Sequence, residues 1–394
     1  MIKKPVYFDH AATTPVDERV LKKMLPYFSD VFGNAASSHA FGREAVKAVD
    51  EARDLIAGII NCKPNELYFT SGGTESDNWA LRGVARANGK KGDNIIISPI
   101  EHAAVIETAK DLEKDGFIIE YMKVDSFGRV DTENLKRIID DRTILICCMA
   151  ANNEVGTIEP IKEILKIAKE RGIFVFTDAV QAAGVLKTDV KDPGVDLLSI
   201  SSHKIYGPKG AGALYVREGV KIAPLVTGGQ QENRKRGGTT NVPAVVGFAE
   251  AMRIAESERE KNFAYVSSLR DRFIQRVEKE IPQAILNGDR KERLPANADF
   301  SFKGIDGEAL LFNLDLCGIA ASAGSACSSG SLEPSHVLLA MGKSPEDARG
   351  TIRFTFGKDN TLEEIDYCVD VLKEIIGKLA AVSLFKKETV VKKA

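Results

Sequence analysis

Asp178, Gln181 and Lys204 stand at the ends of two short apolar runs, and their side-chain types fit a single chemistry. Phe174-Val175-Phe176 runs into Thr177-Asp178-Ala179-Val180-Gln181, and Leu197-Leu198-Ser199-Ile200 runs into Ser201-Ser202-His203-Lys204. A carboxylate can hold a cationic ring nitrogen, a carboxamide can donate to a phenolate oxygen, and an amine can form a Schiff base with an aldehyde. Together these are what pyridoxal phosphate requires of a protein. Taken singly, Asp178 reads equally well as a helix cap and Lys204 as a solvated surface lysine. The pair at two strand ends is more informative than either member.

Other groups lie at similar junctions. Glu66-Leu67-Tyr68-Phe69 leads into Thr70-Ser71-Gly72-Gly73-Thr74-Glu75-Ser76-Asp77, where glycines admit an anion and Thr74 and Ser76 open a helix with unsatisfied amides. The segment lacks the lysine pattern of a nucleotide P-loop. His102 follows the strand Asn94 to Ser98 and can lie over an aromatic ring or cap a helix. Asn152 and Asn153 follow Ile144 to Met149, as ligand donors or as turn formers. Asn34 and His39 sit in a small polar loop, and Thr227 to Thr239 is Gly-rich and basic, either a surface loop or an arm that donates to a phosphate. Cys327 differs from the other five cysteines because Ser322 to Ser331 holds no large apolar side chain to bury it. It reads as a nucleophile on a small-residue loop or as a tolerated free thiol.

These groups need a scaffold of strand ends on a common edge. Strands alternate with helices through residue 216, the pattern of an α/β unit with a mostly parallel sheet, which gathers ligands at the carboxyl ends of its strands. A helix from Val16 to Phe28 and a long helical tract after Pro243 are expected. Beyond it, Phe300 to Phe302, Ala320 to Ser322 and Ile352 to Phe356 read as strands. With helices from Gly307 to Leu316, His336 to Met341 and Leu362 to about Leu379, they make a small α+β unit. The expected division is an arm, 1–15, packing with the small unit; a large unit, 16–255; a small unit, 256–380; and a charged, frayed tail, 381–394.

The 394 residues suffice for two cores. A net charge of −2 with interleaved signs gives no footprint for nucleic acid or an anionic membrane. Apolar runs are too short to cross a bilayer, and Met1 to Pro15 is interrupted by Lys3, Lys4, Pro5 and Asp9, so a cytoplasmic location is expected. The six cysteines lack CxxC spacing and the five histidines lack an HExxH pattern, so no metal site is expected. Strand alternation sends Cys147 and Cys148 to opposite faces of a sheet.

In combination, several segments resemble the cysteine desulfurases of the NifS/IscS type, in the class V aminotransferase group with the fold type I pyridoxal phosphate architecture. The matching segments are Thr70 to Ser76, Asn152-Asn153-Glu154-Val155-Gly156, Asp178 to Gln181, Ser202 to Gly210, and Gly324 to Ser329 with Leu332-Glu333-Pro334-Ser335 after it. The similarity runs from Tyr7 to the helix after Leu362, and the serine-rich loop is similar to the IscS/NifS branch.

The resemblance implies pyridoxal 5'-phosphate bound covalently by Lys204 and stacked under His102. It implies Asp178 on the ring nitrogen, and Gln181 and Asn153 on the phenolate side. Gly73, Thr74, Ser201 and His203 are implied at the phosphate, joined by Thr239 of a neighbouring subunit, since the family is homodimeric. Arg353 and Asn34, with Asn153, are implied at the substrate. The implied activity removes sulfur from L-cysteine, giving L-alanine and a persulfide on Cys327, with Lys204 and His102 as proton carriers. A sulfur-accepting scaffold or carrier protein follows, serving iron–sulfur cluster, thio-cofactor or tRNA biosynthesis, with Cys327 a candidate transient iron–sulfur ligand.

Departures from common family forms are Gly73 in place of a frequent alanine, Asn34-Ala35-Ala36-Ser37 in place of Asn-Pro-x-Ser, and a different C-terminus after Leu379. Two other readings stay open on sequence: a lyase acting on selenocysteine or a sulfinate without Cys327, and a non-catalytic docking dimer.

Overall fold

The computed structural model describes residues 5–192, 194–324 and 334–391. Its twelve strands are β1 (Val6–Tyr7), β2 (Leu67–Thr70), β3 (Asn94–Ile97), β4 (Ile118–Tyr121), β5 (Thr143–Cys147), β6 (Phe174–Asp178), β7 (Leu197–Ser201), β8 (Gly212–Val216), β9 (Ala284–Asn287), β10 (Asn297–Phe302), β11 (Ile319–Ala320) and β12 (Thr351–Thr355). Seven of them form the central sheet in the order β2-β8-β7-β6-β5-β3-β4. All pairings there are parallel except those of β8, which runs antiparallel to both β2 and β7.

The central strands are near-continuous apolar runs because helices cover both faces. Ile95, Ile97, Leu145, Cys147 and Phe176 pack on one side, with Trp79 and Leu81 of the helix Gly73–Asn88. Ile96, Ile146, Cys148 and Val175 pack on the other, with the helices Ala40–Ile59 and Ile161–Arg171. Cys147 and Cys148 therefore do face opposite sides and fill core. Burial raises both thiols well above the usual range.

A second core surrounds the antiparallel sheet β9-β10-β12. Phe273 meets Phe354 and Phe356 there at ring separations of 4.7 and 5.3 Å. β1 pairs in parallel with β11, and Val6 and Phe8 belong to this same core. One helix, Val242–Glu280, serves both cores: residues from Val242 to Ile254 pack in the first, and Val266 to Val277 in the second.

Several local expectations are corrected. The helix expected from Val16 to Phe28 is split into Glu18–Met24, capped by Asp17, and Pro26–Ser29. Pro26 lacks the amide needed to continue the first turn ladder, so the chain restarts there. The final helix runs Leu362–Val391 instead of ending near Leu379, because no glycine or proline after Lys378 interrupts its hydrogen bonding. β9 and the helix Thr132–Ile138 were not expected, both being too short for periodicity to reveal.

Candidate active site

Five chain segments leave the central sheet at one edge and converge. The turn after β2 opens the helix Gly73–Asn88, and His102 follows β3. Asn153 follows β5, Asp178 ends β6, and Ser201 ends β7 just before the 3-10 turn Ser202–Lys204. Together with Arg353 of β12 they line a cavity of about 190 Å³ whose other walls include Ala11, Ala12, Asp77, Met149, Val180, Gln181 and His203. Gly73, Thr74, Ser201 and His203 extend into an adjoining, more open space of about 420 Å³ bounded also by Ser71, Lys209 and Gly210.

At the polar floor, Asp178 is 5% exposed and accepts a hydrogen bond from the Val180 amide at 2.8 Å. Burial raises its carboxyl above the usual range, while His102 and then Lys204 pull it back. Asp77, on the helix Gly73–Asn88, is raised well above the usual range by burial and by the neighbouring Asp178. Two buried acids so placed favour a cationic group beside Asp178, because a positive charge offsets the cost of burying its carboxylate.

Lys204 Nζ donates to the carbonyls of Ala11 and Ala12 at 2.5 and 2.8 Å, and Gln181 Nε2 donates to Ala11 at 3.0 Å. The N-terminal arm thus closes over the amine. His102 caps its helix, with Nδ1 accepting from the Ala104 amide at 3.1 Å. That bond fixes the orientation of the ring.

The anion end has the parts a phosphate needs. The first amides of the helix Gly73–Asn88 have no intrahelical acceptor. Ser201 Oγ is buried without a hydrogen-bond partner among the described residues. His203 meets Thr13 Oγ1 at 3.1 Å, and its pKa is lowered to about 4, first by burial and then by Lys204 and Lys209. A Cβ on Gly73 would lie 2.8 Å from Val180 Cγ2, so Val180 accounts for the glycine at this position. Arg353 is 1% exposed; Nη1 donates to the Asn153 carbonyl at 2.9 Å, and its Nε is without a partner among the described residues. This donor set fits pyridoxal phosphate: a cradle of amides and a hydroxyl at one end, a buried carboxylate at the other, an amine between.

The class-V aminotransferase family model matches residues 6–368. The chain belongs to this family. It is 52% identical over 387 residues to the cysteine desulfurase IscS of Dictyoglomus turgidum, covering 98% of each chain. A solved NifS-like protein superposes with a TM-score of 0.90 at 40% identity, covering 95% of this chain and 100% of that one. SspA in complex with cysteine superposes with a TM-score of 0.80 at 35% identity, covering 90% of this chain and 100% of SspA. The resemblance and the two-part α/β architecture expected from the sequence both hold.

In this class-V aminotransferase, Gly73, Thr74, His102, Asn153, Asp178, Gln181, Ser201, His203, Lys204 and Arg353 share one cavity. Asn34 does not border it; its Oδ1 accepts from the Ala36 amide at 2.9 Å in a local turn. Thr239 is exposed, also away from this cavity within one chain. Cys327 lies outside the described residues. Sequence reasoning missed Asp77, Lys209 and the Ala11 and Ala12 carbonyls. Asp77 carried a usable signal, since it falls one helical turn after Thr74 and faces the same way.

Among the described residues no helix is long and apolar enough to cross a membrane. Nor, among them, does any group of three or more His, Cys, Asp or Glu side chains form a metal site.

Proposed function

We propose that this chain is a cysteine desulfurase that uses pyridoxal phosphate to take sulfur from L-cysteine, release L-alanine and hold the sulfur as a persulfide on Cys327. The observation that carries the reading is the convergence of Lys204, Asp178 and Arg353 on one cavity. It is supported by 52% identity to a cysteine desulfurase over nearly the whole chain.

When bound, pyridoxal phosphate supplies an aldehyde that captures amines and a cationic ring that draws electrons from the captured carbon. Asp178 would hold the ring nitrogen, and His102 would supply an aromatic surface for the ring. Gln181 and Asn153 orient the phenolate side. Gly73, Thr74, Ser201 and His203 would anchor the phosphate. Lys204 would hold the aldehyde, and its Nζ would accept the Cα proton of the substrate. His102 shares the proton traffic. Arg353 would bind the substrate carboxylate with its planar fork.

Cys327 Sγ, as thiolate, then attacks the substrate sulfur. A sulfur–sulfur bond forms, the substrate carbon–sulfur bond breaks with its electron pair going to carbon, and a proton completes the methyl group of alanine. No external oxidant is needed.

The working unit is a homodimer in which Thr239 completes the partner's phosphate site, and the location is cytoplasmic. The persulfide passes to a scaffold or carrier protein, where Cys327 also serves as a transient iron–sulfur ligand. Residues 16–255 carry the cofactor and 256–380 carry Cys327.

Alanine released from L-cysteine by the cofactor-loaded protein tests the reading. Release by the parent and none by Lys204→Ala is expected; alanine from that variant at the parental rate would contradict it.

A further inference from the structure

Glu154 follows Asn153, is 2% exposed, and has no part in the chemistry above. Its main chain is fixed on both sides. The amide donates to Asn152 Oδ1 at 2.8 Å, and the carbonyl accepts from Asn297 Nδ2 at 2.7 Å. From that fixed base the carboxylate reaches two separate points of the small unit. Oε2 accepts a hydrogen bond from Ser335 Oγ at 2.5 Å. The same oxygen occupies the side-chain direction of Gly324: a Cβ there would lie 3.2 Å from it, and φ is +58°.

Gly324 and Ser335 bracket residues 325–334, Cys327 among them. The flanks are tied further to groups of the active site. Ser322 and Arg353 exchange backbone hydrogen bonds at 3.1 and 2.7 Å. Ser335 Oγ also accepts from the Leu338 amide at 3.3 Å, and His336 Nε2 meets the Glu101 carbonyl at 2.9 Å. The hydroxyl-to-carboxylate bond is short and half-buried, with its carboxylate end out of solvent.

We propose that Glu154 is a positioning residue for sulfur transfer: by bonding Ser335, with its carboxylate beside Gly324, it holds the described flanks of the Cys327-bearing segment next to Asn153 and Arg353. The inference rests on the desulfurase reading above. Holding both ends of a chain segment lowers the entropic cost of bringing a group between them to a fixed point. Glu154 thus acts on the transfer step and leaves cysteine binding alone.

The test uses the cofactor-loaded protein and the variants Glu154→Ala, Glu154→Gln, Ser335→Ala and Glu154→Ala/Ser335→Ala. Two quantities are read: the cysteine concentration that half-saturates the cofactor's absorbance change, and the rate of persulfide formation on Cys327 by quenched mass spectrometry. The half-saturating concentration is expected to stay at the parental value. Persulfide formation is expected to slow about tenfold in Glu154→Ala and Ser335→Ala, with the double variant no slower than the slower single one. Glu154→Gln, which keeps an oxygen for Ser335, is expected to recover to within about threefold of the parent.

Parental transfer rates in Glu154→Ala and Ser335→Ala would overturn the proposal, as would multiplied losses in the double variant or weakened cysteine binding equal to the loss in rate. Should Glu154→Ala fail to take up cofactor, Ser335→Ala decides, since it removes the same hydrogen bond from the other side. A parent protein that forms no persulfide on Cys327 would remove the desulfurase reading itself and this inference with it.

Discussion

Arg353 and Asp9, 344 positions apart in sequence, form an ion pair in which Nη2 lies 2.9 Å from Oδ1. With Nη1 held by the Asn153 carbonyl at 2.9 Å, the guanidinium is oriented before any substrate arrives. Its plane is set by the N-terminal arm on one side and the turn that follows β5 on the other. An arginine held in this way pays little conformational entropy when it binds a carboxylate.

Arg353→Lys loses the planar fork while keeping the charge. The expected result is a KM for L-cysteine raised roughly tenfold or more, with kcat changed less, because a point charge cannot reproduce a bidentate contact. Steady-state kinetics check this; an unchanged KM would remove Arg353 from the substrate site.

His203 gives a pH prediction. Its folded pKa, about 4, lies below the ordinary 6.5, so the unfolded chain takes up a proton that the native site refuses. Stability therefore falls as pH drops from 6.5 toward about 4, and His203→Gln flattens that part of the curve. Melting temperature against pH for parent and variant isolates this one group from the other buried acids.

Glu159 has the opposite sign. Its Oε2 accepts from the Val130 amide at 2.9 Å, and burial pushes the carboxyl up from 4.5 to about 8. The native state keeps a proton that the unfolded chain loses, so stability declines as pH rises from 4.5 toward about 8. Glu159→Gln, neutral at every pH, is expected to gain on the order of a few kcal/mol over the parent at the alkaline end. Denaturant titrations at several pH values measure the difference, and parallel pH curves for the two proteins would contradict the assignment.

Much of the site is legible in the sequence because its residues follow apolar runs. Once β3, β5, β6 and β7 are read as buried parallel strands, His102, Asn153, Asp178 and Lys204 must share an edge. What closes the site is not legible in the same way. Ala11 and Ala12 act through backbone carbonyls, which no side chain announces, and Asp9 meets Arg353 only because β1 crosses to pair with β11. The reversal of β8 is hidden for a related reason, since a buried strand has the same apolar composition in either direction. Asn34 was read from a small polar loop, and in one chain that loop satisfies itself through the Ala36 amide. The tie from Glu154 to Ser335 spans 181 positions, beyond the reach of any local pattern.

The central claim is that an amine and a thiol divide the work, Lys204 holding the cofactor and Cys327 receiving the sulfur. Mass spectrometry of the cofactor-loaded protein after exposure to L-cysteine, on the parent and on Cys327→Ala, tests it most directly. The account predicts a persulfide mapped to Cys327 in the parent, and a variant that binds cofactor but forms no persulfide. Persulfide and alanine from Cys327→Ala at the parental rate would contradict it.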